Sequence, residues 1–203
     1  GANTSNSRAY GVSYNGSVIV GHSTKADGTL SAFRWVQGSG MQEVPIYQAL
    51  ATSANGSVVV GMATRWTAPG QVDQLGFLGG NNYTSAAGVS GDGQVVVGYS
   101  ETSPNRYAHA FRWTPTSGIQ DLGVTTGTES SALVISSDGN VIFGEARDAG
   151  QFWRAFRWTQ ATGMRDLGTL GGPMSTSHGA SADGSIIVGK SLATSISSSL
   201  RAF

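Results

Sequence analysis

The nine residues Ser13-Tyr14-Asn15-Gly16-Ser17-Val18-Ile19-Val20-Gly21 form a phrase that the chain repeats four more times. Each copy contains a small residue, Asn or Asp, Gly, a short apolar run and a closing Gly. The other copies occupy 53–61, 90–98, 136–144 and 181–189, so their first serines are 40, 37, 46 and 45 residues apart. Regular periods of this size are typical of solenoids, propellers and repeat arrays. A residue that recurs in every copy is expected to hold the fold rather than to perform chemistry.

One full unit, residues 83–124, is predicted to contain four short strands. Asp92-Gly93 forms a tight turn between the extended segments 86–90 and 94–98, because Asp-Gly and Asn-Gly tolerate the positive φ of hairpin turns. The alternating segment 110–114 predicts a third strand, and 119–123 predicts a fourth after the turn at 115–118. No segment shows a helical period with caps.

Four short antiparallel strands per period match one blade of a propeller. We therefore predict an all-β fold, a five-bladed β-propeller of four-stranded antiparallel blades that forms a single domain over residues 1–203. A β-solenoid is the alternative, but it needs fewer strands per coil and usually a shorter period. The fifth blade is predicted to be incomplete, to be closed by the N-terminal residues before Arg8, or to continue beyond Phe203. The repeat units are approximately 8–48, 49–85, 86–131, 132–176 and 177–203.

A second phrase, Ala-Phe-Arg-Trp or a variant of it, follows the first in each of the first four units. Its tryptophans are expected to pack between adjacent blades, because aromatic side chains dominate burial energetics. Its arginines are expected to pair across strands with the carboxylates of the fourth strand as fasteners. The tryptophans are Trp35, Trp66, Trp113 and Trp158, and the arginines are Arg34, Arg65, Arg112 and Arg157. The proposed partners are Glu43, Asp121 and Asp166, with Gln74 in the second unit leaving that pair neutral on one side.

Composition and motifs exclude several functions. The 12 basic and 12 acidic residues give a formal net charge of +0, so the chain has no positive electrostatic field that would favour nucleic-acid binding. The sequence also lacks an apolar run long enough to predict membrane insertion. No cysteine is present, which excludes disulfides and thiolate metal sites. Residues 184–191 match the phosphate-loop pattern G-x-x-x-x-G-K-S, but their inner residues form an apolar strand whose amides are expected to be bonded in a sheet. We therefore expect no nucleotide.

Catalytic and metal sites are not predicted either. The three histidines are scattered, the turn carboxylates occur one per unit, and Ser90 belongs to a repeated turn rather than to a full G-x-S-x-G motif. The first strands contribute no Asp or Glu for a pair of catalytic carboxylates across a central channel. We expect no catalytic residue, no metal, no cofactor and no enzymatic activity.

Three phrases in fixed order carry a resemblance to a known family. They are His109-Ala110-Phe111-Arg112-Trp113, the segment Gly163-Met164-Arg165-Asp166-Leu167-Gly168 with its continuation to Gly172, and Ser181-Ala182-Asp183-Gly184-Ser185. Across essentially the whole chain they resemble the HAF-repeat family of bacterial extracellular repeats, although only the third unit has the His and Thr64 replaces Phe in the second. The resemblance implies export and a place in autotransporter passenger regions. It implies no enzyme activity and supplies no catalytic residue.

The connections predict where a partner binds. In an antiparallel four-stranded blade the second and fourth connections share one end, and these are the segments that vary between units. The predicted second connections are 22–31, Met62, 99–109, 145–154 and 190–200. Loops held on a rigid scaffold commonly carry binding residues, and Tyr, Trp and Arg are favoured in hot spots. The alternative is that these side chains only cover the loop ends over the channel. The predicted partner-binding residues are Tyr47, Tyr83, Tyr99, Arg106, Tyr107, Phe152, Trp153 and Arg154.

The function predicted from these observations is a secreted or surface-exposed, non-catalytic binding module of a bacterial adhesin. The expected partner is a host-cell surface protein or glycan, and the chain itself is expected to be a monomer. A carbohydrate-binding lectin is one alternative, although the loops do not repeat one polar and aromatic set. A structural spacer is the other.

Overall fold

Antiparallel sheets make up the whole of the described structure. The computed structural model describes residues 6–79, 83–102, 107–194 and 197–203, and within these ranges every regular element is a β-strand. The described residues contain nineteen strands in five sheets, four of them four-stranded and one three-stranded. No helix of the described part is long and apolar enough to cross a membrane. The predicted all-β class and the four-stranded antiparallel sheet are therefore confirmed.

The sheets follow one another along the chain, and consecutive strands pair within each. Sheet 1 contains β1 (Ser7–Val12), β2 (Val18–Thr24), β3 (Leu30–Val36) and β4 (Gly40–Val44). Sheet 2 contains β5 (Ala51–Thr52), β6 (Val58–Gly61), β7 (Thr64–Thr67) and β8 (Gln71–Gln74). Sheet 3 contains β9 (Thr84–Val89), β10 (Val96–Glu101), β11 (Ala108–Thr114) and β12 (Gly118–Asp121). Sheet 4 contains β13 (Ser130–Ile135), β14 (Val141–Arg147), β15 (Trp153–Thr159) and β16 (Gly163–Asp166), and sheet 5 contains β17 (Ser175–Ala180), β18 (Ile187–Thr194) and β19 (Ser197–Ala202).

The repeated serine and the Asn or Asp two residues later build the first turn of every sheet. In sheet 3 the Ser90 hydroxyl donates to Oδ1 of Asp92 at 2.6 Å and accepts from the N–H of Val95 at 2.9 Å. Oδ1 of Asp92 also accepts from the N–H of Gln94 at 2.9 Å, and Gly93 has a φ of +76°. The same bonds form around Ser13, Ser53, Ser136 and Ser181. The repeated phrase is thus a self-contained turn whose polar atoms satisfy one another.

The closing glycine of the phrase is required by the close approach of the facing backbone. In sheet 3 the pairing of β9 with β10 shifts register near Gly98, and a Cβ on Gly98 would collide with the carbonyl oxygen of Ser85 and the Cα of Ala86. The glycines at this position in sheets 1, 4 and 5 would likewise collide with a carbonyl of the first strand, and Gly61 in sheet 2 would collide with the carbonyl of Gln48, which precedes β5. Close backbone approach, at a bulge in four of the five sheets, therefore explains why the apolar run always ends in Gly.

Neighbouring sheets are joined by apolar clusters and by a row of backbone hydrogen bonds between their first turns. The residue after each repeated serine donates its N–H to the carbonyl of the equivalent residue in the next sheet, from Tyr14 to Ala54, Ala54 to Gly91, Gly91 to Ser137 and Ser137 to Ala182. These distances are 2.9, 3.0, 2.8 and 2.6 Å. The row places the first turns side by side at one end of the sheets, which we call the turn end.

The predicted packing of the tryptophans is confirmed for three of the four. Trp66 lies in a buried cluster with Val18 and Val20 of the preceding sheet, and Trp113 lies in one with Val58 and Val60. Trp158 packs in the same way with Val95 and Val97. Trp35 in sheet 1 is half-buried and belongs to none of these clusters.

The predicted ion pairs between the repeated Arg and the carboxylates Glu43, Asp121 and Asp166 are wrong, because the third and fourth strands are aligned one residue away from the predicted register. Arg34 lies opposite Gln42, Arg112 opposite Gln120 and Arg157 opposite Arg165, so the carboxylates lie opposite the Phe of the phrase. Each carboxylate bonds instead to the residue two positions before that Phe. This residue and the Phe point to the same face of the third strand, which is also the face of the carboxylate. The pairs are Glu43 with Ser31, Asp121 with His109 and Asp166 with Arg154. Within the described ranges Arg65 is the one repeated arginine with an acidic partner, which is Asp73, the residue before the neutral Gln74.

The predicted closure of the fifth sheet by the residues before Arg8 falls mostly on residues 1–5, which lie outside the described residues, and Ser7 already belongs to sheet 1. Strand β1 pairs with β2 as the first strand of sheet 1, and sheet 5 contains three strands in the order β17-β18-β19. Its edge strand β19 ends one residue before Phe203, whose backbone still exchanges two hydrogen bonds with Gly189.

Candidate recognition surface

The longer connections lie together at the end of the sheets opposite the turn end, and we call this the loop end. In an antiparallel sheet the connection after the second strand and the exit from the fourth strand lie on the same side. Because the first turns of all five sheets lie side by side, the second and fourth connections are gathered at the opposite end. These connections are 25–29, 45–50, 62–63, 75–83, 102–107, 122–129, 148–152 and 167–174, as far as they are described.

Several of these connections are shorter than the sequence indicated. The segments 99–109 and 145–154 were expected to be loops, but β10 and β11 extend into the first and β14 and β15 into the second. Tyr99, Trp153 and Arg154 therefore lie on strands, not on loops. Their strands end at the loop end, so the three residues still belong to this end of the molecule.

Tyr83 and Tyr99 form the first local contact of predicted site residues. Their rings lie 5.9 Å apart at an angle of 38°, and their hydroxyl oxygens are 3.5 Å apart. The hydrogen bond with Tyr99, together with partial burial, raises the pKa of Tyr83 to about 12. The pair presents two phenol edges at the loop end of sheet 3.

Trp153 and Arg147 form the second contact, at the loop end of sheet 4. The guanidinium carbon of Arg147 lies 4.6 Å from the centre of the Trp153 ring, within the range of a cation–π interaction. Nε of Arg147 donates to the carboxylate of Glu129 at 2.5 Å, and Nη1 donates to the carbonyl oxygen of Gln151 at 2.8 Å. These bonds fix the plane of the guanidinium on the indole.

Arg147 and Glu129 were not identified from the sequence. Neither belongs to a repeated phrase, and they are 18 positions apart in the chain. The only available signal was that a basic residue, Arg147, stands shortly before the aromatic pair Phe152 and Trp153 at the end of an apolar strand. Their pairing depends on the register of β13 against β14, which the sequence does not define.

Arg154 is bound to the protein itself. Its guanidinium lies 3.2 Å from a carboxylate oxygen of Asp166, and Nη1 donates to the carbonyl oxygen of Pro173 at 3.3 Å. Its Nε is buried with no well-directed hydrogen bond. Arg154 occupies the position at which His109 bonds to Asp121 in sheet 3. Arg154 therefore links β15 to β16 rather than offering a free group for binding.

The remaining predicted residues are separate from one another. Tyr47, Tyr107 and Phe152 are exposed and lie on three different connections, and Arg106 lies outside the described residues. Among the described residues, aromatic rings contact each other only at Tyr83–Tyr99 and at Tyr10–His22. The structure therefore presents a scattered aromatic surface at the loop end, not one pocket.

The described part of the chain offers no group of three or more His, Asp or Glu side chains that could hold a metal ion. The segment that matches a phosphate loop has its amides in other bonds. The N–H of Ser185 donates to Asp183, the N–H of Ile186 to Ser181 and the N–H of Gly189 to the carbonyl of Phe203. These three amides are not directed toward a phosphate.

Comparison with known proteins shows the fold. No protein-family model and no curated protein match the sequence. Among solved structures the chain is similar to TolB from Acinetobacter baumannii, with a TM-score of 0.63 and 14% identity over 93% of this chain and 49% of that chain. It is also similar to a putative TolB from Agrobacterium tumefaciens, with a TM-score of 0.65 and 14% identity over 98% of this chain and 76% of that chain. The chain thus spans about half the length of the first structure. The likeness supports a β-propeller architecture built from four-stranded antiparallel sheets.

Proposed function

We propose that this chain is a secreted or surface-exposed, non-catalytic binding module, in which five sheets serve as blades and the loop end contacts an extracellular partner. The observation that carries the proposal is the division of the molecule into two unlike ends. The turn end repeats one hydrogen-bonded turn five times. The loop end differs from sheet to sheet and carries most of the exposed aromatic side chains.

The exposed aromatics of the loop end suit binding to a protein surface. Tyr47 is 63% exposed, Tyr107 42% and Phe152 44%. Burial of such rings against a partner would contribute strongly to binding. Tyrosine and tryptophan are enriched in hot spots because they combine a large apolar area with few rotatable bonds. The fixed Arg147–Trp153 pair adds a planar cation that loses little entropy on binding. We propose a protein on the surface of a host cell as the partner and a bacterial adhesin as the context.

Attachment of the purified chain to cultured cells tests this proposal. Replacing Tyr47, Tyr107 and Phe152 by Ala together removes three exposed aromatic rings of the loop end, and we expect attachment to fall at least about tenfold, as for the loss of hot-spot residues. Tyr14→Ala is the matched control. Tyr14 is 87% exposed at the turn end, so its removal leaves attachment unchanged. Equal losses in the two variants would contradict the proposal.

Two other functions predict different results in the same assay. A structural spacer predicts that the triple variant attaches as well as the wild type. A lectin predicts that free monosaccharide competes with attachment and that the partner survives protease treatment of the cells. The protein-binding proposal requires the reverse, with attachment lost after protease treatment and unaffected by monosaccharide.

A further inference from the structure

Tyr83 and Tyr99 are placed against each other by the pairing of β9 with β10. Tyr99 lies opposite Ser85 in this pairing, and the N–H of Glu101 donates to the carbonyl oxygen of Tyr83 at 3.0 Å. Tyr83 is therefore the diagonal neighbour of Tyr99 across the two strands, and aromatic side chains at such positions reach each other. Both neighbours of sheet 3 pack against it, so this contact lies in the middle of the repeat.

The two rings converge at their hydroxyl ends. Their centres are 5.9 Å apart at an angle of 38°, whereas their hydroxyl oxygens are only 3.5 Å apart. The ortho carbons of a phenol are bonded to the carbon that carries the hydroxyl, so they belong to the ends that converge. Tyr83 is 40% exposed and Tyr99 is half-buried, which leaves the pair open to oxidation from solution.

This pair is the one place in the described part of the chain where two tyrosine rings contact each other. A radical formed on Tyr83 or Tyr99 therefore has its coupling partner in place, whereas a radical on any other described tyrosine must meet a second molecule. The sequence also contains no cysteine, whose thiol would reduce a tyrosyl radical. The other four tyrosines are Tyr10, Tyr14, Tyr47 and Tyr107.

We propose that Tyr83 and Tyr99 form an oxidative cross-linking site, at which a haem peroxidase that consumes hydrogen peroxide joins the two rings as dityrosine. Each phenol loses one electron and one proton, and the two phenoxyl radicals carry unpaired spin on their ortho carbons. One bond forms between an ortho carbon of each ring, and the hydrogens on those two carbons move to the oxygens and restore both phenols. The two electrons and two protons released reduce one hydrogen peroxide to two water molecules.

The cross-link closes a covalent loop between two positions that are 16 residues apart in the chain. It joins the end of the connection 75–83 to β10 at the loop end, in a chain that has no cysteine with which to form a disulfide. A covalent loop of this kind removes conformational freedom from the unfolded chain, as a disulfide does. Oxidation is therefore expected to raise the urea concentration at which the chain unfolds.

Peptide mapping of the purified chain after treatment with hydrogen peroxide and a haem peroxidase tests the proposal. Trypsin cleaves after Arg65 and Arg106 and releases the peptide 66–106, in which Tyr83 and Tyr99 are the only tyrosines. A second protease that cleaves before Asp92 separates the two tyrosines unless their rings are joined. We expect the two fragments to stay joined, two hydrogen atoms lighter than their sum and with the fluorescence of dityrosine. Dilution of the protein should not change the joined fraction, because the coupling takes place within one molecule.

Two phenylalanine variants separate this site from general tyrosine oxidation. Tyr99→Phe leaves Tyr83 without a second phenol in contact and should lower the yield of joined fragments at least about tenfold, and its unfolding should not shift to higher urea on oxidation. Tyr107→Phe is the matched control and should cross-link like the wild type, since Tyr107 is exposed at the same end of sheet 3 and contacts no tyrosine ring among the described residues. Wild-type fragments that separate after cleavage at Asp92, dityrosine found only in dimers, or equal losses in the two variants would each overturn the proposal.

Discussion

The hydroxyl of Ser90 lies 2.6 Å from Oδ1 of Asp92 and donates its proton to it. The same hydroxyl accepts from the buried N–H of Val95, so one side chain joins both ends of the turn. Ser90 is fully buried. Ser90→Ala leaves a buried amide and a carboxylate oxygen without this partner, and we expect a loss of about 1–3 kcal/mol in the free energy of unfolding. Urea denaturation measures the loss.

Ser117→Ala is the control for the turn serine. The Ser117 hydroxyl bonds to Thr114 in an exposed turn, so its removal should change the free energy of unfolding by less than about 0.5 kcal/mol. Similar losses in both variants would show that the buried turn has no special part in stability.

The turn was predictable from the sequence, whereas the loop end was not. All five copies carry Asn or Asp followed by Gly at the same position of the phrase. This pair indicates a hairpin through local backbone preferences, which act over only four or five residues. The lengths of the connections depend on how far paired strands continue, and that depends on their neighbours. Tyr99 was therefore expected on a loop but lies on β10.

The same limit explains the register error at the repeated arginines. Sequence alternation places Arg112 and Asp121 on adjacent strands but does not give their alignment. A shift of one residue exchanges the two faces of a strand. Asp121 consequently bonds to His109 instead of Arg112. The pair of Arg147 and Glu129 depends on register alone, so it was not predicted from the sequence.

Gly98→Ala should be among the most damaging substitutions at a small residue. The added Cβ would collide with the backbone of β9 at Ser85 and Ala86, which cannot move without opening the bulge. We expect a loss of about 3 kcal/mol in the free energy of unfolding, as for overpacking of a core. Gly70→Ala is the matched control, since nothing lies within 4 Å of its Cβ position, and it should be neutral or slightly stabilising. A Gly98→Ala protein as stable as Gly70→Ala would exclude the proposed close approach.

Arg65 joins sheet 2 to sheet 3 through three contacts. Its Nη1 donates to Asp73 at 2.6 Å, its Nε donates to the carbonyl of Gly93 at 2.9 Å, and its guanidinium lies 5.8 Å from the Trp113 ring. Arg65 is 5% exposed, so Arg65→Met leaves a partly buried carboxylate without its partner. We expect a loss of about 2–4 kcal/mol, measured by thermal or urea unfolding.

Arg112→Met tests whether that loss comes from the contacts of Arg65 or from the repeat position. Arg112 occupies the same place in the phrase, but among the described residues it has no ion pair like that of Arg65 with Asp73. We expect Arg112→Met to cost less than about 1 kcal/mol. An equal loss at the two positions would assign the effect to the position in the repeat rather than to the contacts of Arg65.

The turn carboxylates should make stability fall in acid. Hydrogen bonds from Ser90, Ser136 and Ser181 lower the pKa of Asp92, Asp138 and Asp183, in the last case to about 2. Because the pKa is lower in the folded state, these turns contribute stability above about pH 4 that is lost as the pH falls toward the folded-state pKa. Replacing all three by Asn, as in the natural turns at Asn15 and Asn55, should flatten the acid limb of the stability profile.

The reverse exchange provides the control for the acid effect. Asn15→Asp with Asn55→Asp adds two carboxylates in the same hydrogen-bonded position and should steepen the loss of stability between about pH 4 and pH 2. Urea midpoints measured across this range compare the three proteins. Identical profiles would mean that the turn carboxylates titrate alike in the folded and unfolded chains.

The phenols of Tyr83 and Tyr99 provide a direct probe of the loop end. Their hydrogen bond and the partial burial of Tyr83 raise its pKa to about 12, whereas a free tyrosine titrates near 10. Tyr99→Phe removes the bonded hydroxyl and should return the pKa of Tyr83 toward 10, which NMR of ring-labelled tyrosine measures residue by residue. Tyr14→Phe, at the exposed turn end, should leave Tyr83 unchanged. A Tyr83 phenol that titrates near 10 in the wild type, or that does not respond to Tyr99→Phe, would place the two rings apart and remove this pair from the proposed binding surface.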